Sequence, residues 1–331
     1  MNKIIERIHI SPAPHIKAKL HLEHMMWWTV FALLFPVIGS VYLFGNKALL
    51  LILVCVASSM FFDISCRFVL GLKISVKDGS AVVTGIILAL VLPPSFPLWA
   101  AVLGSLFSIF IVKYVYGGLG KNVFNPALMG RAFLTAAFPV LITTYTTVPR
   151  SLPFFKPAGA EISVNAVSEA TPLGRAKFEK KEINKSNMLR YFFGERKGSL
   201  GETSSFLIII GLSILLIKGV ADWRLPLSYF VSVFVFSLLL WIADPVKFID
   251  PLLSMMLGGI LLGGTFMLTD PVTTPVTTKG KYVFGIGAAV FTLLIRNWSG
   301  YPEGVMFSII LMNALTPLIN RYTKPRIYGT V

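Results

Sequence analysis

Apolar runs recur so often along this chain that they decide its class before any motif is read. A hydrocarbon core takes about 20 residues of helix to cross, and ten apolar segments can be marked. The first half holds 25–44, 48–69, 80–92, 97–115 and 126–140; the second holds 206–218, 225–243, 252–269, 282–295 and 304–319. Of 331 residues, 55% are hydrophobic and only 14% charged, where a soluble domain carries about a quarter. An unpaired backbone group is costly in lipid, so helices are the expected spanning form. The pattern predicts an all-α integral membrane protein of about ten transmembrane helices. Trp27, Trp28, Trp99, Trp223 and Trp298 lie at segment ends, where interfacial aromatics belong.

The punctuation between segments repeats. An apolar run, a Pro-rich break, an apolar run, a Gly-rich loop and another apolar run occur in that order twice. The first copy has Leu92-Pro93-Pro94-Ser95-Phe96-Pro97 and then Tyr116-Gly117-Gly118-Leu119-Gly120-Lys121-Asn122. The second has Thr269-Asp270-Pro271-Val272-Thr273-Thr274-Pro275 and then Ser299-Gly300-Tyr301-Pro302-Glu303-Gly304. An odd number of spans per half turns the second half upside down. Short or broken helices at matching places in two inverted five-helix repeats point to a site near the midplane. The expected division is 1–24, an N-terminal cytoplasmic segment; 25–142, the first repeat; 143–204, a long polar loop; 205–319, the second repeat; and 320–331, a cytoplasmic tail.

Charge sets the orientation. The net charge is +15, which in a membrane protein reads as orientation and anionic headgroups rather than nucleic acid. Lys3, Arg7, Lys17, Lys19, Lys73, Lys77, Lys113, Lys121, Lys279, Lys281, Arg321, Lys324 and Arg326 fall on the side of both termini. Both termini are therefore expected in the cytoplasm and the 143–204 loop outside. The first 24 residues lack an apolar core with a small-residue cleavage site, so no removable signal peptide is expected.

Several residues could carry chemistry. Asp270 sits in a Thr-rich, twice-broken stretch, and an acid beside a broken intramembrane helix is a functional candidate; an interfacial turn is the plainer alternative. Glu303 begins the last segment, where it could also serve the helix dipole. These two are the candidate ion-path acids. Asn125 and Pro126 have the order of an N-cap and first helical residue. Arg131 either snorkels to the surface or pairs with an anion inside the bundle. Ser199-Leu200-Gly201-Glu202 reads as a capping box for the sixth segment. His21, Glu23 and His24 read as solvated polar residues, and no metal site is expected. Cys55 and Cys66, eleven residues apart on one helix, are about 16 Å apart, too far for a disulfide. No P-loop or Gly-x-Gly-x-x-Gly after a strand occurs, so phosphate and dinucleotide binding have no support here.

Five motifs in order then resemble the RnfD/NqrB family, the membrane subunits of ion-pumping redox complexes. They are Asn122-Val123-Phe124-Asn125-Pro126-Ala127, Ala170-Thr171-Pro172-Leu173, Gly198-Ser199-Leu200-Gly201-Glu202-Thr203-Ser204, Thr269-Asp270-Pro271-Val272-Thr273 and Tyr301-Pro302-Glu303-Gly304-Val305. The compact N-terminus and the tail from Lys324 to Gly329 look more like the D subunit of the Rnf branch than the larger quinone-reductase subunit. Asn165 and Glu169 stand where family members often carry Asp and Gly.

The resemblance implies a urea-channel-like fold of inverted repeats and FMN carried on Thr171 through a phosphoester bond. A flavin transferase outside the cytoplasm would attach it, with Ser168 as the neighbouring hydroxyl and Arg175 and Lys177 offsetting the phosphate charge. It also implies a second, non-covalent riboflavin in the membrane part, other Rnf subunits as partners, and a bacterial or archaeal plasma-membrane location. The implied activity is electron relay between ferredoxin and NAD, coupled to Na⁺ or H⁺ translocation. Two alternatives stay open: the equivalent subunit of the Na⁺-pumping NADH:quinone reductase, and a non-redox channel or transporter on the same fold.

Overall fold

A computed structural model describes residues 21–72, 77–145, 177, 188–194, 198–202, 204–245, 247–301 and 303–324. Among them the regular structure is entirely helical. In chain order the helices are α1 (Leu22–Phe44), α2 (Asn46–Val69), α3 (Ser80–Leu90), α4 (Leu98–Leu106) continuing as a π-helical stretch (Phe107–Tyr114), α5 (Pro126–Ala137) and α6 (Pro139–Thr143). There follow α7 (Met188–Phe193), α8 (Ser205–Ile217), α9 (Arg224–Ala243), α10 (Pro251–Met256), α11 (Ile260–Leu262) running into a second π stretch (Gly263–Met267), α12 (Thr278–Trp298) and α13 (Val305–Tyr322).

All ten apolar segments are helical, but they are not alike. Five helices (α1, α2, α9, α12 and α13) are long and apolar enough to cross a membrane. By contrast, α3 has 11 residues, about 16 Å of rise, roughly half of a 30 Å hydrocarbon core. Nine of its residues are buried, Leu88 and Leu90 completely. It packs against α1, α2 and α5, so a half-length helix lies inside the bundle, out of reach of lipid. Large apolar side chains such as Ile38, Phe61, Leu239 and Ile242 stay exposed on the long helices, as a lipid-facing surface requires.

Two sequence expectations need correcting. The segment 252–269 is not one helix. It breaks at Leu257–Gly259, where Gly258 takes φ +71°, a left-handed conformation that costs glycine little. The freed carbonyls at the end of α10 are taken by a guanidinium from α12: Arg296 Nη1 donates to Ser254 O at 2.8 Å and Nη2 to Leu257 O at 3.1 Å. The second correction concerns the capping box. Ser204 caps α8, its hydroxyl accepting from Leu207 N at 3.3 Å. Ser199 and Glu202 are instead buried in the core.

The two halves meet along α1 against α8 and α5 against α13. The 3₁₀ turn Leu200–Glu202 wedges between them. Leu200 N donates to Leu92 O at 3.0 Å, and Ser40 Oγ donates to Leu200 O at 2.7 Å. Gly201 is required there: a Cβ would stand 2.8 Å from Leu90 Cβ and 2.9 Å from Leu262 Cδ2. The polar insertion thus ends inside the core before α8 begins.

Candidate functional site

Two buried charge clusters occupy the bundle. The first is built on α5. Asn125 caps that helix, accepting from Ala127 N at 3.1 Å and Leu128 N at 3.3 Å, with Pro126 at its first position, as the sequence indicated. The cap fixes Arg131 about 9 Å further along the helix, pointing into the bundle. Its guanidinium meets Glu303 Oε2 at 3.0 Å and approaches Glu202 Oε1 at 4.0 Å. Of the two readings for Arg131, pairing with an anion inside the protein is the one observed.

Glu303 reaches this position because the chain after α12 folds back. Gly304 lies so close to Thr292 O that no larger residue fits without a shift. Glu303 therefore stands directly before the cap of the final helix, turned into the bundle near the last turns of α12. Arg296, only 3% exposed, closes the group from the other side. Beside it runs a hydroxyl chain: Thr292 Oγ1 lies 3.2 Å from Tyr229 OH and 2.7 Å from Ser308 Oγ. Two cations and two carboxylates from α5, the Leu200–Glu202 turn, α12 and the segment before α13 thus share one desolvated volume.

The second cluster was not marked in the sequence as a site. Asp63 on α2 accepts at Oδ1 from Lys113 Nζ at 2.6 Å and from Tyr114 OH at 2.9 Å, and at Oδ2 from Arg67 Nε at 2.8 Å. Arg67 also pairs with Asp78, and Lys113 Nζ donates to Ser80 Oγ at 2.7 Å. Lys113 is 2% exposed. It belongs to the π stretch of α4 and is an interior residue, although it counted above among the cytoplasmic loop cations. The available signals were single charges inside apolar runs, at Phe62-Asp63-Ile64 and Val112-Lys113-Tyr114.

A cavity of about 50 Å³ joins this cluster to Asp270. Its polar wall includes Ser80, Thr84, Lys113, Asn122, Asn125 and Asp270, and it has room for a few waters. Asp270 accepts from Val272 N and from Thr273 Oγ1, both at 3.2 Å, so the break before α12 holds its carboxylate in a turn at the cavity edge. The two candidate ion-path acids are therefore not together: Asp270 shares the cavity with the first residues of α5, and Glu303 pairs with Arg131 further along it.

The remaining candidates belong to the polar insertion. Thr171, Ser168 and Arg175 lie outside the described residues. Lys177 is described: its ammonium donates to the carbonyls of Arg296 at 2.6 Å, Tyr301 at 2.8 Å and Ser299. Tyr145, at the start of the insertion, is buried and feels the charges of Glu303, Arg131 and Glu202. Three points on the insertion, Tyr145, Lys177 and Glu202, thus converge on the end of α12 and the charge cluster beside it.

A sequence model of the NQR2, RnfD, RnfE family matches residues 9–329. The chain belongs to this family. It is 40% identical to the D subunit of the Na⁺-translocating ferredoxin:NAD⁺ oxidoreductase complex of Acetobacterium woodii, over 97% of this chain and 95% of that protein. It is 37% identical to the D subunit of the proton-translocating ferredoxin:NAD⁺ oxidoreductase complex of Clostridium ljungdahlii, over 97% and 96%. With the D subunit of the ion-translocating oxidoreductase complex of Stutzerimonas stutzeri it shares 38% identity over 93% of this chain and 92% of that one. Relatives at nearly equal identity thus carry names with different ions. Overall likeness does not choose between Na⁺ and H⁺ for this family member.

Proposed function

We propose that this chain is the D subunit of an Rnf-type ferredoxin:NAD oxidoreductase, a multi-pass subunit that relays electrons through FMN on Thr171 and lines an ion path. The observation that carries the reading is the near full-length match to family members named as D subunits of such complexes. The other subunits of the complex and a flavin transferase are its partners. FMN would supply one-electron chemistry at the outer face, and riboflavin a second flavin in the membrane part. The ten helical segments form two inverted repeats, with α3 and the broken α10–α11 pair as the short elements at matching places and both termini cytoplasmic.

The chain's own residues hold and position. The insertion is pinned at Tyr145, Lys177 and Glu202. Arg175, four positions past Thr171, offsets the phosphate charge, and Lys177 fixes the segment by its carbonyl contacts. Along the ion path, Asp270 at the polar cavity and Glu303 in the interior cluster are the acidic groups, and Arg131 is the fixed counter-charge that a carboxylate at Glu303 needs in a low-dielectric site.

Two measurements test this. The protein produced with its transferase is expected to fluoresce as a denatured band on a gel, and Thr171→Ala to abolish that signal while the chain still inserts. Absence of covalent flavin in the unaltered protein would sink the redox assignment, and fluorescence surviving in Thr171→Ala would move the attachment to another hydroxyl such as Ser168. Asp270→Asn is expected to reduce ion-coupled turnover at least tenfold with flavin content unchanged. An unaltered cation dependence in that variant removes Asp270 from the path.

A further inference from the structure

Irregular backbone from both halves of the bundle meets at the cavity beside Asp270. Lys113 reaches its wall from the π stretch Phe107–Tyr114, and Phe266 from the π stretch Gly263–Met267. Asn125, the cap of α5, and the broken turn at Asp270 supply further parts of the wall. Insertions of π-helix are rare and gather at functional sites. Two of them lining one polar space of about 50 Å³ mark that space as more than a packing defect.

Two acceptors in this wall lack a partner of the kind they need. The hydrogen bonds to Asp270 come from its own turn, Val272 N and Thr273 Oγ1, and among the described residues no lysine or arginine pairs with it. Asn122 is only 6% exposed. Its Nδ2 donates to Phe124 O at 3.1 Å, which fixes the two ends of the amide and leaves Oδ1 buried without a donor. Thr29 and Thr84 also line the space, each donating its hydroxyl proton one turn back, to Met25 O at 2.9 Å and Ser80 O at 3.0 Å. Their oxygens thus keep lone pairs for another contact. A carboxylate, an amide oxygen and two hydroxyl oxygens are the ligands of a hard cation. One carboxylate balances one positive charge.

We propose that Asp270 and Asn122 Oδ1, with the hydroxyls of Thr29 and Thr84, form a site for one small alkali cation, Na⁺ in kind, that keeps part of its water. Lys113 sets the strength of this site. Its ammonium stands in the same wall, held by Asp63 Oδ1 and Ser80 Oγ, and like charges repel strongly where water is scarce. The site therefore binds weakly enough to release its ion, as conduction requires. The inference rests on the proposed ion-path role of Asp270 and gives that role its ligands and its ion. Its binding claim needs neither flavin nor turnover.

The experiment uses the full chain in detergent, in NaCl, LiCl or choline chloride at equal ionic strength. A carbodiimide, which couples to protonated carboxyl groups, is added and the modified residues are mapped by mass spectrometry. NaCl and LiCl are expected to slow modification of Asp270 at least fivefold, saturably, while other carboxyl groups react as in choline. No protection of Asp270, or equal protection of every carboxyl group, overturns the site. Broadening of the Na⁺ magnetic resonance signal by the protein is the second measurement, suited to weak binding. It should saturate, fall at least tenfold in apparent affinity in Asp270→Asn and several-fold in Asn122→Leu, and tighten at least threefold in Lys113→Met. Broadening that Asp270→Asn leaves unchanged also overturns the site, and an unchanged affinity in Lys113→Met overturns the part given to the ammonium. If Asp270→Asn lowers ion-coupled turnover while Na⁺ neither protects Asp270 nor binds there, Asp270 stays in the path as a proton carrier and only the cation site falls. Failure of the Thr171 flavin experiment removes the redox role and leaves these binding results unchanged.

Discussion

Arg131→Met is expected to be among the most damaging single substitutions in the protein, lowering its stability by about 3–5 kcal/mol. The guanidinium is the nearest cation to Glu303 at 3.0 Å and approaches Glu202 at 4.0 Å. Removing it leaves two buried carboxylates facing each other across a site from which water is largely excluded. Arg296 does not replace it, because its terminal nitrogens are committed to Ser254 O and Leu257 O. Adding Glu303→Gln to Arg131→Met removes one of the stranded charges and should recover a substantial part of the loss. Glu303→Gln alone strands a cation that still has Glu202 within reach, and should cost less than Arg131→Met alone. Thermal unfolding of the four proteins in detergent, followed by tryptophan fluorescence, gives the cycle. An Arg131→Met protein within about 1 kcal/mol of the parent, the range of solvated ion pairs, would mean that water reaches the cluster. The cluster would then have little hold on the path.

Asymmetry is the second large expectation, in the cluster on α2 and α4. Asp63 receives three donors, from Lys113, Tyr114 and Arg67. Lys113 has Asp63 and the Ser80 hydroxyl. Lys113→Met leaves the carboxylate with Arg67 and the tyrosine, so a loss of about 1.5–3 kcal/mol is expected, the scale of one charged hydrogen bond. Asp63→Asn leaves a nearly inaccessible ammonium without its counter-charge, and about 3–5 kcal/mol should go. The double substitution should lie closer to Lys113→Met than to Asp63→Asn, since buried pairs replaced on both sides are often tolerated. Equal effects of the two single substitutions would contradict the geometry, because they would make the ammonium and the carboxylate equally dependent on each other.

What the sequence revealed followed from how local each signal was. Ten helical segments were legible because apolar composition acts over about twenty residues with no need of a partner. The cap at Asn125 was legible because an N-cap bonds only to the next turn. Glu202 was misread for the complementary reason. Ser199-x-x-Glu202 has the letters of a capping box, but its role is set by Leu90, Leu262 and Arg131, which approach from distant parts of the chain. Lys113 was misplaced because a lysine near a segment end ordinarily snorkels to water. Only the position of Asp63, on another helix, makes burial tolerable. The break in 252–269 at Gly258 was not foreseen, because a glycine pair inside an apolar run still reads as one continuous segment. The guanidinium that stabilises it comes from about forty residues further on, a scale at which sequence spacing carries no information about contact. The Arg131 question was left open for the same reason, and Glu303 answers it from the other half of the molecule.

The wedge at Leu200–Glu202 bears on how such a chain is made. The first half ends its short interior helix with a carbonyl, Leu92 O, whose partner is Leu200 N, on the order of a hundred residues later, a closure that chain entropy opposes. During synthesis this hydrogen bond can form only once the last residues of the polar insertion have been made. Assembly of the first half is in this sense a task of the second, and the turn at Gly201 is the checkpoint between them. A chain truncated at residue 142 should accordingly be a substrate for membrane quality control, where two self-sufficient halves would have yielded a stable fragment.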